Sequence, residues 1–297
     1  MISAITTDRV RVRPERIISS INTEAVTSRE VQHCVVDYRL FKQKVWVLLL
    51  LLFASLSGNL RAQEVPFTSG ETLCYDIYYH WGIIWKKAAQ GTLKVKDAHY
   101  QGKEAYKMKL SCQTLSFADK IMRVRDTLNS YTTRTVQPLY YDKIAHEGNY
   151  TSKDCLSYLY KEGKTGGKVT LYRKNREPRD TLLWVKGQAF DMLSVFYFLR
   201  MADLRSFKMY QTINVPIFTG RKVITMNVKY MGRTLVTLRN KKQYPAYRLN
   251  LSFLNDDNLK DEDPPIQVWL SDDDRKIPLK VEGKLPLGSL QAEYCGN

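Results

Sequence analysis

Ser194 stands in the run Asp191-Met-Leu-Ser194. A serine becomes a nucleophile when a histidine base and an oxyanion hole accompany it. The Gly-x-Ser-x-Gly elbow is missing, and beyond residue 62 only His80, His99 and His146 are available as bases, in no recognisable constellation. Asp191 therefore reads as a helix cap, its carboxylate accepting the backbone N–H of Ser194, with Ser194 hydrogen-bonding locally. Gly163-Lys164-Thr165 has the end of a phosphate loop, but the position that needs the first glycine holds Tyr158, so the segment reads as a hairpin turn. Asp272 and Asp273 could be the carboxylate pair of a polysaccharide-acting enzyme. Adjacent strand residues face opposite sides, however, and a turn carboxylate accepting backbone N–H groups is the structural alternative. The acidic stretch Asp256-Asp257-Asn258 to Asp261-Glu262-Asp263 is dense enough in oxygen ligands for calcium, yet lacks the glycine and spacing of an EF-hand. It reads as a solvated loop, and no metal or cofactor is expected.

Four cysteines follow residue 62: Cys74, Cys112, Cys155 and Cys295. In an exported chain an even number permits disulfides, with three pairings open. By parity Cys74 shares a wet face with Asp76, Cys295 shares one with Glu293, and Cys112 faces inward as a buried thiol. If the first and last strands pair, Cys74 and Cys295 could bridge.

The elements that carry these residues alternate with period two. Leu73, Tyr75, Ile77, Tyr79 and Trp81 share one parity; Tyr106, Met108, Leu110 and Cys112 another; and Met226–Tyr230, Tyr247–Phe253 and Leu290–Tyr294 repeat the pattern. Successive side chains of a strand point to opposite faces, so these are strands with one buried and one wet face, as in antiparallel sheet. Turn residues at Gln101–Lys103, Glu162–Gly167, Phe218–Arg221 and Met231-Gly232 separate a dozen or more strands. So many strands must curl or close to hide their edges. Asp191–Leu204 breaks the pattern: Met192, Val195, Phe196 and Leu199 recur at helical spacing. The expected fold is mainly β: a single antiparallel, strongly curved sheet or incomplete β-barrel with one helix, about 191–204, packed on its inner face. The aromatic face of Tyr75, Tyr79, Trp81, Tyr106 and Phe253 is either core or a groove for an apolar or sugar ligand.

The chain of 297 residues has a net charge of +16. Its first forty residues are polar and without period, and read as a non-structural extension or a start placed too early. Lys42 and Lys44 followed by the apolar run Val45–Leu56, with Ala62 before Gln63, have the layout of a signal peptide over 41–62. That run is too short to span a membrane, so release rather than a transmembrane anchor is expected. Residues 63–297 form the single β domain, with 37 basic and 25 acidic residues, a net of +12. Such a surface suits lipid head groups, lipoproteins or acidic polysaccharide; export to the periplasm or outer envelope disfavours nucleic acid.

One ordered set of features remains. It comprises Phe67-x-x-Gly70-Glu71-x-Leu73-x-Tyr75, Gly91, Val124-x-Asp126, Pro138-Leu139-Tyr140, Asp191-x-Leu193-Ser194-x-x-Tyr197-x-x-Arg200, Trp269-Leu270-Ser271-Asp272-Asp273 and Ile277-Pro278. The set, spanning Phe67 to Tyr294, resembles the bacterial exported family labelled domain of unknown function 3108, in a Bacteroides-type member. The resemblance implies an envelope-associated β protein and transfers no catalytic residue. Asp191, Ser194, Phe196 and Arg200 are taken as structural; Tyr75, Tyr79, Trp81, Trp269, Asp272 and Asp273 are the candidate ligand contacts. The expected activity is non-enzymatic binding or carrying of an apolar or anionic envelope component. A scaffold for other envelope proteins and a polysaccharide-acting enzyme are the alternatives.

Overall fold

The computed structural model describes residues 65–254, 265–285 and 288–296, except for the side chains of Trp81 and Ile84. The expected extension, the signal segment and the acidic loop lie outside the described residues. Gln63–Asn297 is a compact unit of its own.

Fourteen strands form one antiparallel sheet. They are β1 (Thr72–Trp81), β2 (Ile84–Tyr100), β3 (Lys103–Thr114), β4 (Arg125–Thr132), β5 (Pro138–Glu147), β6 (Tyr150–Lys161), β7 (Lys164–Arg173), β8 (Arg176–Lys186), β9 (Thr212–Thr219), β10 (Lys222–Thr237), β11 (Gln243–Leu254), β12 (Ile266–Ser271), β13 (Pro278–Lys284) and β14 (Ser289–Gly296). Two helices interrupt them, α1 (Ser116–Asp119) and α2 (Ser194–Met201). Consecutive strands pair everywhere except β8 and β9, and in addition β1 joins β14, Tyr75 opposite Tyr294, so the first and last strands lie in the middle of the sheet. The edges are then β8 and β9, and the sheet curls into a barrel that is nearly closed, with one seam between them.

Both edges are protected against pairing with other chains. The outer strand β8 begins Arg176-Glu-Pro-Arg-Asp180, with charges and a proline that cannot donate to a ladder. Strand β9 is covered by the segment ahead of α2: Phe190 N–H donates to Pro216 O (3.0 Å), and Phe218 N–H donates to Phe190 O (2.9 Å).

Helix α2 fills the inside of the curl. Val195 and Leu199 pack with Val228, Tyr247, Leu249 and Val268 of the β10–β12 wall. Leu193 and Tyr197 pack with Val95, Met108, Tyr141 and Leu156 of the opposite wall. Each such side chain taken out of water contributes roughly 1.5–3 kcal/mol. The helix is shorter than the expected 191–204, and its stripe differs. Phe196 is only half-buried and Met192 is exposed; the buried positions are Val195, Tyr197 and Leu199.

Two further differences concern β10 and β12. Met231-Gly232 is not a turn but a bulge inside the long strand β10, where the register shifts between Tyr230 and Arg233. Beyond the bulge the β10–β11 hairpin lies on the outer face. Val236 and Leu238 cover Trp269 and Leu279 there. At its tip Arg239 stacks on Tyr78 and Trp85 (4.4 and 4.2 Å) and donates its backbone N–H to Glu293 (2.8 Å). Trp269 is thus buried outside the barrel, between Arg248 and Lys280, rather than on a ligand-facing aromatic surface.

Candidate functional site

The Asp191 carboxylate is fully buried and accepts five hydrogen bonds. Leu193 N–H (2.9 Å) and Ser194 N–H (2.8 Å) are the orphan donors at the start of α2. Ser194 Oγ (2.8 Å), Ser130 Oγ (3.0 Å) and Tyr158 Oη (3.2 Å) complete the set. Burial pushes the Asp191 carboxyl above its ordinary value, against the pull of these donors. Ser194 is buried and none of its hydrogen bonds goes to a histidine, so its oxygen is a cap and not a nucleophile. Thr165 of the Gly-Lys-Thr turn likewise spends its hydroxyl on Gly187 O (2.6 Å).

At the other end of α2, Arg200 and Glu71 form a buried pair, with Nη1–Oε1 2.7 Å and Nη2–Oε2 3.0 Å. Arg200 also donates to Pro66 O and Arg275 O, both at 3.1 Å. Glu71 accepts a second guanidinium, that of half-exposed Arg275, at 3.2 Å. Arg275 is held in turn by the β12–β13 connection. Asp273 Oδ1 accepts Ser271 Oγ (2.7 Å), Arg275 N–H (3.0 Å) and Lys276 N–H (2.9 Å), while Ile277 N–H donates to Ser271 Oγ (2.7 Å). Lys276 takes a positive φ of 43° to close this turn. Asp272 points elsewhere and pairs with Arg233 at 3.3 Å. The two carboxylates therefore do not form an acid/base pair: one fixes a turn and the other an ion pair.

These parts surround an open depression of about 830 Å³ at the α2 C-terminus. Val65, Pro66, Phe67 and Met201 give it an apolar wall; Arg275 and Lys276 give it a cationic rim. Phe67 sits edge-on to Tyr197 (centroids 5.1 Å) and lies under the Arg200 guanidinium (5.4 Å). Glu71 is shared by Arg200 and Arg275, so these three groups keep one net positive charge, which Arg275 presents beside Lys276; Asp274, which also lines the depression, is paired with Arg205.

The family described as protein of unknown function (DUF3108) matches residues 74–294. The chain belongs to this family. Among solved structures, a β-barrel-like protein of the domain of unknown function DUF1849 from Brucella abortus is similar at 12% identity and a TM-score of 0.49, over 75% of this chain and 95% of that chain. No curated protein matches the chain.

For this DUF3108 member the expected site residues scatter. Tyr75 is buried inside the barrel beside Leu73 and Ile277, Tyr79 is half-buried further along β1, the Trp81 side chain lies outside the described residues, and Trp269 is on the opposite face from Tyr75. None of them lines the depression; Asp273 serves it indirectly by presenting Arg275 and Lys276. Arg200 is buried in its pair with Glu71, which the sequence shows only as a pattern residue with no role. Cys74 and Cys295 do fall on paired strands, but all four cysteines are free thiols, so the bridge is not formed. Cys74, Cys112 and Cys295 line a separate shallow groove of about 330 Å³ with Gln90 and Arg125. Burial there pushes the Cys112 thiol up, away from the reactive thiolate.

Proposed function

We propose that this protein is a non-enzymatic binding protein of the cell envelope that takes an anionic amphiphile at the α2 end of the barrel. The observation that carries this reading is the open depression, with its apolar wall and the rim of Arg275 and Lys276. A cationic rim receives a phosphate or carboxylate head group, and apolar side chains beside it receive the first part of an acyl chain. The inside of the barrel is occupied by α2, which favours a ligand held at the mouth over one enclosed by the sheet. The polysaccharide-acting alternative loses its carboxylate pair to the Arg233 contact and the β12–β13 turn. Export, with cleavage after Ala62, belongs to the same proposal.

The test is a thermal-shift titration with a short-chain phosphatidylglycerol below its micelle concentration. Wild-type protein should be stabilised. The variant Arg275→Ala/Lys276→Ala should lose affinity by about ten-fold or more, the usual worth of a charge-assisted contact pair. No shift with the wild type, or an equal shift with the variant, rejects the reading.

A further inference from the structure

We propose that the end of the barrel opposite the depression is a docking surface for an anionic lipid bilayer. Three of the described loops at this end are neighbours in the sheet: the β1–β2 turn at Gly82-Ile83, the β3–β4 connection at Leu115–Val124 with α1, and the β5–β6 turn at Gly148-Asn149. They are tied together locally. Leu115 N–H donates to Ala88 O (2.8 Å), and Gly148 N–H donates to Arg123 O (2.7 Å). Lys86 of β2 lies over the Phe117 ring of α1 at 4.9 Å.

The side chains at these tips are the wrong kind for water. Ile83 is 99% exposed, Ile121 80%, Met122 53% and Phe117 48%. Single exposed apolar residues need no explanation, but four on adjoining loop tips do. Phe117, Ile121 and Met122 project from the β3–β4 connection and Ile83 from the neighbouring β1–β2 turn. A protein partner would need a hollow shaped to each of them, whereas the acyl boundary of a bilayer accepts any projecting apolar side chain.

Charge favours the same occupant. Lys86, Lys120 and Arg123 are exposed around the apolar tips, and among the described residues no carboxylate pairs with them. The nearby Asp119 is neutralised by Arg125, which donates two hydrogen bonds to it (2.7 and 3.0 Å). That contact, with the Thr114 hydroxyl, holds the Asp119 carboxyl at about 2, and Arg123 adds a weaker pull without pairing with it. Apolar tips inside a collar of unpaired Lys and Arg are the pattern that binds an anionic interface. The surface is separated from the depression by the length of β1, roughly 30 Å at the usual strand rise. This inference therefore stands apart from the amphiphile-binding proposal.

The experiment is vesicle co-sedimentation of the unit Gln63–Asn297, with neutral phosphatidylcholine vesicles and with vesicles containing phosphatidylglycerol. The wild type should partition onto the anionic vesicles and be released by salt. Ile83→Asp/Ile121→Asp, at positions too exposed to disturb folding, should lower the partition coefficient by about ten-fold or more. Lys86→Glu/Lys120→Glu/Arg123→Glu should remove the preference for anionic over neutral vesicles, while Arg275→Ala/Lys276→Ala should bind vesicles as the wild type does. The proposal is overturned if the wild type ignores anionic vesicles or if the aspartate variant binds as well as the wild type. It is also overturned if the tip variants instead turn a dimer into a monomer, which would make the surface an interface between copies. In every case the short-chain lipid titration of the depression is read separately, so either proposal can fail alone.

Discussion

Replacing Glu71 by Gln should be more damaging than replacing its partner Arg200 by Met, and the asymmetry follows from who else is present. Arg200 has one carboxylate, Glu71, and its side chain is 1% exposed. With Gln at position 71 the guanidinium keeps Pro66 O and Arg275 O but no counter-charge, in a place where water cannot screen it. Breaking a buried pair in this way costs about 3–5 kcal/mol. Glu71, by contrast, is also paired with Arg275 at 3.2 Å, and Arg275 is half-exposed and free to close in. Arg200→Met removes the buried positive charge, leaves Glu71 with Arg275, and unpartners two backbone carbonyls, for about 1–3 kcal/mol. The double variant has no orphaned buried charge, so its loss should fall short of the sum of the singles by about 2 kcal/mol. Urea unfolding of the four proteins closes the cycle, with the denaturant slope checked for constancy. A loss below about 1 kcal/mol for Glu71→Gln, or strict additivity of the two singles, would refute the claim that this pair is a buried and mutually dependent charge contact.

Two more outcomes follow from the interior. Burial raises the Asp191 carboxyl, so the folded state holds its proton more tightly than the unfolded chain does; this contribution to stability is full below the ordinary carboxylate range and is lost as pH rises through the raised value. Measured between about pH 3 and about pH 7, the stability of the wild type relative to Asp191→Asn should therefore fall with rising pH, and a flat difference would contradict it. Gly166 and Gly167 separate a yielding neighbour from an unyielding one. A Cβ at Gly167 would meet Leu156 Cδ1 at 2.8 Å and the Phe218 ring at 3.3 Å inside the core, and Gly167→Ala should cost about 1–3 kcal/mol. A Cβ at Gly166 would meet the Trp184 ring at 2.7 Å, but that ring is half-exposed and can swing outward, so Gly166→Ala should cost less than about 1 kcal/mol. Equal melting temperatures for the two variants would show that the outer ring is as fixed as the core.

Period-two alternation made the β class, the antiparallel pairing and the number of strands legible, because each wet or buried face repeats every second residue. It could not say which face a second layer would cover. Strand β12 is buried on both sides once the β10–β11 hairpin lies over it, so Trp269 shares the parity of wet residues and is nonetheless buried. Glycine misled at Met231-Gly232, where a bulge and a turn ask for the same residue. The helix was found by its spacing but overextended, since Asp191–Leu193 form the capped turn ahead of α2 and not its first turn. The partners of Asp191 were out of reach altogether: Ser130 and Tyr158 lie 61 and 33 residues away in the chain. For the same reason Arg275 carried no signal, its role depending on a contact with Glu71 204 residues earlier.

Placed in three dimensions, the features that carried the family resemblance converge on one task. Phe67 and Glu71 from the first stretch, Tyr197 and Arg200 from α2, and the Ser271–Ile277 turn meet at the C-terminal end of the helix. Leu73, Tyr75 and Ile277 pack together beneath them. Asp191 and Ser194 fix the helix's other end to β4 and β6 through Ser130 and Tyr158. A helix inside a curled sheet has two ends full of unpaired backbone groups and nowhere to send them but the surrounding strands. In this chain the solution is one carboxylate at each end, Asp191 and Glu71, one guanidinium, Arg200, and a turn that delivers a second, Arg275. Residues so occupied are not free for chemistry; the accessible groups are those of the rim they hold open and of the loop tips they do not touch.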